Sequence, residues 1–142
     1  MLHLDPYLNF PGTTEEVMIF YQSVLGGQFA IFQRYKDTPG GEKMNESDQE
    51  KMLHISLKLE NGITIMATDF LESMGQQLEP GNNFHLCIQA ESEKEVDKLF
   101  AALSAGGSVE MPVNKTFWGA YFGMCRDKYG IQWMINFDLN KK

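Results

Sequence analysis

Asn83–Gly107, NFHLCIQAESEKEVDKLFAALSAGG, decides the reading of this chain. Phe84, Leu86, Ile88 and Ala90 alternate with His85, Cys87 and Gln89, the period of a strand with two unlike faces. Ser92 follows, with Glu95 three residues on. This is the capping-box spacing, in which the serine oxygen takes the N3 amide and the glutamate reaches back to the cap amide. Val96, Leu99, Phe100 and Leu103 fall at i, i+3, i+4 and i+7, one buried helical stripe, and Gly106-Gly107 ends it. One strand therefore runs directly into one amphipathic helix.

Working outward, the same unit stands near the start of the chain. Pro6–Phe10 is a short apolar strand, Thr13 and Glu16 have the capping-box spacing, and Val17, Phe20, Tyr21 and Val24 form a stripe before Gly26-Gly27. Cap, box and stripe are all displaced by one constant interval (92 − 13 = 79). A constant interval over so many positions indicates an internal duplication. A later hairpin repeats as well: Gly62-Ile63-Thr64-Ile65-Met66 matches Gly130-Ile131-Gln132-Trp133-Met134 (130 − 62 = 68).

Between these anchors, Gln28–Tyr35 reads as a second strand. Lys36–Glu50, KDTPGGEKMNESDQE, is polar and has turn chemistry, so it is either a mobile flap or a disordered excursion. Met52–Glu60 alternates cleanly, with Leu53, Ile55, Leu57 and Leu59 against His54, Ser56, Lys58 and Glu60. Asn61-Gly62 is a strong hairpin turn into Ile63–Thr68. Asp69–Gly81 reads as a linker. In the second half, Val109–Thr116 is a strand interrupted by Pro112, hence near an edge or bulge. Gly119–Arg126, a turn at Asp127–Gly130, and Ile131–Phe137 complete a hairpin. Each half thus reads strand, helix, strand, strand, strand. The expected fold is α+β: two βαβββ modules with mixed sheets curved into a cup and one helix outside each, spanning about 1–72 and 81–142 of a single domain.

The bulk numbers narrow the function classes. With 43% hydrophobic and 22% charged residues, the composition is that of an ordinary globular domain. The formal charge of −7 argues against nucleic acid, whose phosphates require a basic face. No apolar run reaches membrane-span length, and MLHLDPYLNF lacks the pattern of a signal peptide. Cys87 and Cys125 lack metal-motif spacing and are expected to be reduced thiols in a cytoplasmic protein.

Several local patterns resemble one known group. The Ile19-Phe20-Tyr21 helix with Val24-Leu25-Gly26, the Asp127–Gly130 turn before the last strand and the two βαβββ modules are similar to the vicinal-oxygen-chelate superfamily. That superfamily comprises the glyoxalase, bleomycin-resistance and ring-cleaving dioxygenase fold. Pro6-Tyr7-Leu8, Leu99–Leu103, Met111-Pro112, Thr116-Phe117-Trp118 and Trp133-Met134-Ile135-Asn136 resemble its PhnB-like branch. In metal-using members, the first and last strands of each module supply one ligand apiece. By this resemblance the four positions fall on Pro6, Met66, His85 and Met134. Proline has no side-chain donor and thioethers favour soft ions, so no divalent metal and no other cofactor is expected. The resemblance also implies a homodimer.

Among single residues, His85 leads. It is either a hydrogen-bonding or acid–base group of the cup wall, or a relic of a ligand position satisfied by a neighbour. His54 reads as a solvated strand residue, or as a substitute ligand if it points inward beside His85, and His3 as terminal. Met66 and Met134 form an adaptable apolar floor or simply fill space. Trp118, Tyr121 and Phe122 either pack on an apolar ligand or close a core or dimer contact. Cys87 points the same way as His85, though i and i+2 side chains on one strand align poorly for nucleophile–base work. There is no phosphate loop, no G-x-S-x-G elbow and no glycine-rich cofactor loop of the methyltransferase kind.

The reading that follows is a protein that binds a small organic molecule in a cup through Met66, His85, Cys87, Trp118, Phe122 and Met134, with no nucleic-acid or membrane partner. Two alternatives stand beside it. One is a metal-dependent glyoxalase- or dioxygenase-type enzyme using His85. The other is a resistance protein of the bleomycin-binding type that sequesters a cationic drug.

Overall fold

The computed structural model describes residues 2–140. The chain falls into two compact units that divide between Glu79 and Pro80. Each holds one four-stranded mixed sheet and one twelve-residue helix.

The first unit runs β1 (Tyr7–Phe10), α1 (Thr14–Leu25), β2 (Gln28–Arg34), a short helix α2 (Glu46–Gln49), β3 (Met52–Lys58) and β4 (Thr64–Asp69), in sheet order β1-β4-β3-β2. The β1–β4 pair is parallel and the other pairs are antiparallel. Helix α1 packs on β3 and β4, over Leu8, Phe10, Ile55, Leu57, Ile65 and Ala67. Its buried line is Thr14, Val17, Met18 and Tyr21. Phe20 and Val24, expected in that line, are only half-buried. Val17–Tyr21 is an unbroken apolar run, so its helical period leaves the phase undetermined, and the sheet beneath selects Met18.

The second unit runs β5 (Leu86–Gln89), α3 (Glu93–Ser104), β6 (Ser108–Lys115), β7 (Ala120–Arg126) and β8 (Gln132–Asp138), in order β5-β8-β7-β6. Helix α3 lies on β6, β7 and β8. Val96, Leu99, Phe100 and Leu103 are its buried line, as the spacing predicts. Each such side chain contributes roughly 1.5–3 kcal/mol on burial. Beneath them Cys125, Trp133 and Ile135 are essentially inaccessible. Pro112 falls on the edge strand β6, inside the register shift between Met111 and Asn114, as its missing amide requires. Phe84, which the alternation groups with Leu86 and Ile88, precedes β5 and is 53% exposed.

The two capping boxes are made differently from the expected pattern. Ser92 Oγ accepts the Glu95 amide at 3.0 Å, but the Glu95 carboxylate takes the amide of Glu91, one residue before the cap. Thr13 makes no side-chain cap bond at all. Instead Asp69 Oδ1, at the end of β4, accepts the Thr14 amide at 2.9 Å, while its Oδ2 accepts the Met52 amide at 2.8 Å. Asp69, expected in the linker, is thus a buried strand residue holding three elements together. Ser92→Ala is accordingly expected to cost about 1 kcal/mol and Thr13→Ala close to nothing. Comparing the two variants in urea unfolding checks the difference.

The polar segment 36–50 is folded back on itself rather than left as an excursion. It forms two single-turn helices, Tyr35–Asp37 and Gly41–Lys43, before α2. Gly41 is required there, because a Cβ would sit 2.1 Å from the Tyr35 carbonyl oxygen. Buried Asp48 closes the segment by accepting from Ser73 Oγ, Lys51 Nζ and Asn45 Nδ2. The Ser73 bond above all, with Lys51 and Asn45 adding and burial opposing, holds its carboxyl below the usual range.

The sheets refine the duplication. The helices keep the 79-residue interval (93 − 14 = 79). In the sheets, Tyr7 pairs with Met66 and Cys87 with Met134, so the first strands are displaced by one more residue (87 − 7 = 80). The extra residue lies between strand and helix: Thr14 follows Tyr7 by seven residues (14 − 7 = 7), whereas Glu93 follows Cys87 by six (93 − 87 = 6). Gly12 takes up the turn at φ 94°, a region that glycine enters without strain. Asp5, not Pro6, is therefore the counterpart of His85.

Candidate functional site

In each unit the helix covers one face of the sheet and the side chains of the other face stand free of it. On that open face of the second unit, the strand registers stack side chains in rows. Gln132 is opposite Arg126, with His85 next to them just before β5. The next row is Cys87, Met134, Met124 and Met111, and the one beyond holds Gln89, Asn136, Phe122 and Asn114.

The first row is polar and interlocked. Arg126 donates to Gln132 Oε1 and to the Gly130 carbonyl, each at 3.0 Å. Gln132, itself buried, donates to the Phe84 carbonyl at 2.6 Å. His85 Nε2 lies 3.3 Å from Glu110 Oε1, a contact spanning the sheet from one edge strand toward the other. The pair is out of hydrogen-bonding alignment, and Nε2 is buried with no aligned partner among the described residues. An imidazole held beside a carboxylate can accept or deliver a proton. Partial burial raises the pKa of the Cys87 thiol, which argues against a nucleophile. Cys125 lies on the covered face, where burial, with Asp127 and Glu110 adding, pushes its thiol up to about 11. In the third row Asn136 Nδ2 donates to Gln89 Oε1 at 2.8 Å, and Phe122 meets Trp118 edge to face with ring centroids 6.0 Å apart.

Of the residues singled out from sequence, His85, Cys87, Met134, Phe122 and Trp118 share the second unit, the first four on its open face and Trp118 in ring contact with Phe122. Met66 belongs to the first unit. There it stands between Tyr7 and Ser56. The Tyr7 hydroxyl is 3.1 Å from His54 Nδ1, and His54 Nε2 is 2.7 Å from Ser56 Oγ. Both ring nitrogens of His54 are thereby engaged, and partial burial lowers its pKa. Sequence reasoning placed Gln132 on the open face but missed Tyr7, Glu110 and Arg126. The Arg126–Gln132 pair was readable in principle, since both flank the Asp127–Gly130 turn.

Among the described residues no three His, Cys, Asp or Glu side chains gather as a metal-holding group. A glycine-rich cofactor cradle is likewise not formed at either strand-to-helix junction, which read Pro11-Gly12-Thr13 and Ala90-Glu91-Ser92. No helix is long and apolar enough to cross a membrane among the described residues.

Comparison with known proteins agrees with this architecture. A solved structure of protein PA1353 from Pseudomonas aeruginosa is 32% identical, with a TM-score of 0.85 over 97% of this chain and 98% of that one. A PhnB protein from Bacillus cereus, described as a putative 3-demethylubiquinone-9 3-methyltransferase, is 26% identical, with a TM-score of 0.77 over 96% and 99%. A glyoxalase/bleomycin resistance protein/dioxygenase family enzyme from Burkholderia phytofirmans shares the fold at 19% identity, with a TM-score of 0.62 over 96% and 100%. The family model described as 3-demethylubiquinone-9 3-methyltransferase matches residues 3–136. The chain therefore belongs to this PhnB-like family of the glyoxalase/bleomycin-resistance/dioxygenase fold.

Proposed function

We propose that the chain binds a small organic molecule on the open face of the second sheet, without a divalent metal. One observation carries this reading: that face sets an adaptable row of Cys87, Met134 and Met124 between a polar row at His85, Gln132 and Arg126 and a mixed row at Gln89, Asn136 and Phe122. An apolar body flanked by a few directional polar groups is the usual composition of a small-ligand site. Phe122 supplies an aromatic wall, and Asn136 and Gln89 orient each other's amides. His85 beside Glu110 supplies a proton donor or acceptor at the other end. Methyl transfer, named by the family description, finds no glycine-rich cradle in the strand-to-helix junctions and is not part of this reading.

The test is a metabolite screen by thermal shift in the presence of a chelator, with affinities of any hit then measured on variants. Phe122→Ala and His85→Ala are each expected to weaken a genuine ligand at least about tenfold, and Thr13→Ala to leave it unchanged. Hits insensitive to both open-face substitutions would sink the proposal.

A further inference from the structure

Four sulfur-bearing side chains stand in one row across all four strands of the second sheet. Cys87 on β5 is opposite Met134 on β8, Met134 is opposite Met124 on β7, and Met124 is opposite Met111 on β6. They share the face turned away from α3, because the alternating neighbours Trp133 and Cys125 are buried on the other side. None of the four is fully buried. The row is therefore reachable from solvent and is not part of the core.

The fold does not require sulfur at these places. The equivalent row of the first unit, related by the same register intervals, reads Tyr7, Met66, Ser56 and Ile31, with a single sulfur. Packing alone would be served equally by leucine, which exchanges with methionine at little cost. The spacing suits a shared ion. Metal–sulfur bonds near 2.3 Å place two ligating sulfurs up to about 4.6 Å apart, close to the separation of neighbouring strands, about 4.8 Å. Cys87 and Met124 stand two strands apart, about 10 Å at the backbone, and methionine's unbranched, three-torsion side chain has the reach to bring its sulfur toward an ion shared with Cys87. A thiol with thioethers selects a soft ion and discriminates against hard divalent cations. Beside the row stands His85, two residues before Cys87, with its buried Nε2 lacking an aligned hydrogen-bond partner.

We propose that Cys87, Met134 and Met124 form a binding site for a soft monovalent cation of the Cu(I) type, with His85 available as a further donor. On binding, the Cys87 S–H bond breaks, its proton passes to solvent and a sulfur–metal bond forms, with no change in oxidation state. The inference goes beyond the organic-ligand reading and does not depend on it, since the metal alone is the probe and the metabolite screen is run with chelator.

The experiment is an anaerobic titration of the full chain with Cu(I) against a chromogenic Cu(I) chelator, followed in parallel by the methionine methyl resonances. One equivalent is expected to bind, with the Met134 and Met124 methyl signals shifting. Met134→Leu and Met124→Leu should each weaken binding at least about tenfold, Cys87→Ser should abolish it, and Met74→Leu, an exposed methionine of the first unit, should leave it unchanged. Circular dichroism confirms that each variant is folded. Absence of stoichiometric binding would overturn the proposal. Binding that depends on Cys87 but is indifferent to both methionine substitutions would overturn it equally, because that behaviour belongs to an isolated thiol.

Discussion

Asp69→Ala is expected to destabilise the protein by about 3–5 kcal/mol, read as a lowered urea midpoint at constant slope in circular dichroism. The carboxylate is buried and divided between two backbone donors, the Thr14 amide that opens α1 and the Met52 amide that opens β3. Hydrogen bonds to a charged group contribute about 1.5–3 kcal/mol each, and removing the acceptor strands both donors away from water. The Thr14 amide is also one of the helix-end donors without an intrahelical acceptor, and an anion there interacts favourably with the helix dipole. Asp69→Asn keeps one acceptor oxygen but turns an amide N–H₂ toward the other donor. It is expected to recover about half of the loss. A cost below about 1 kcal/mol for the alanine variant would show that Thr13 or water caps α1 instead.

Asp127→Ala is expected to have an effect of similar size, about 3–5 kcal/mol, located in the second unit. Asp127 Oδ1 accepts the amides of Tyr129 and Ile131, at 2.9 and 3.1 Å, and Oδ2 accepts the indole N–H of Trp133 at 2.8 Å. One buried carboxylate therefore shapes the turn between β7 and β8 and anchors the largest side chain of the core. The turn also places Arg126 and Gln132 side by side on the open face, so loosening it disturbs the polar end of the proposed site. Trp133 is its own reporter: its fluorescence should change in the folded variant as the indole loses this acceptor, while Trp118 emission stays as it was. An unchanged midpoint would mean that the backbone bonds of the turn, Asp127 N to Ile131 O and Gly130 N to Asp127 O, suffice without the side chain.

The contrast between these aspartates shows what could be read in advance. Asp127 lies in a four-residue turn, and its partners are two, four and six positions away. It was visible in the sequence as turn chemistry, though its hold on Trp133 was not. Asp69 reaches 55 residues back to Thr14 and 17 to Met52, and no local pattern announces either bond. The Thr13–Glu16 spacing advertised a local cap that the insertion at Gly12 displaced and Asp69 replaced.

The open face divides in the same way. The outward set on β5, His85, Cys87 and Gln89, follows from strand alternation alone. So does Met134 on β8. That Glu110 faces His85, and that Met124 and Met111 extend the line of Cys87 and Met134, depends on registers across three strand pairs, one of them shifted twice by irregularities in β6. A one-residue slip exchanges the two faces of a strand, so periodicity within a strand cannot say which outward residue of the next one it meets.

By itself, then, the sequence determined the duplicated strand–helix unit, the α3 stripe with its Ser92 cap, the hairpins at Asn61-Gly62 and Asp127–Gly130, and membership of the fold. All of these rest on interactions within a few residues, where spacing and side-chain type carry the information. Only the tertiary structure decided the phase of α1, the Asp69 clasp, the folding of segment 36–50 and the one-residue offset that makes Asp5 the counterpart of His85. It alone decided also the sulfur row. Each of these is chosen by competition among distant partners for the same buried surface or hydrogen bond, and the winner is set by three-dimensional register.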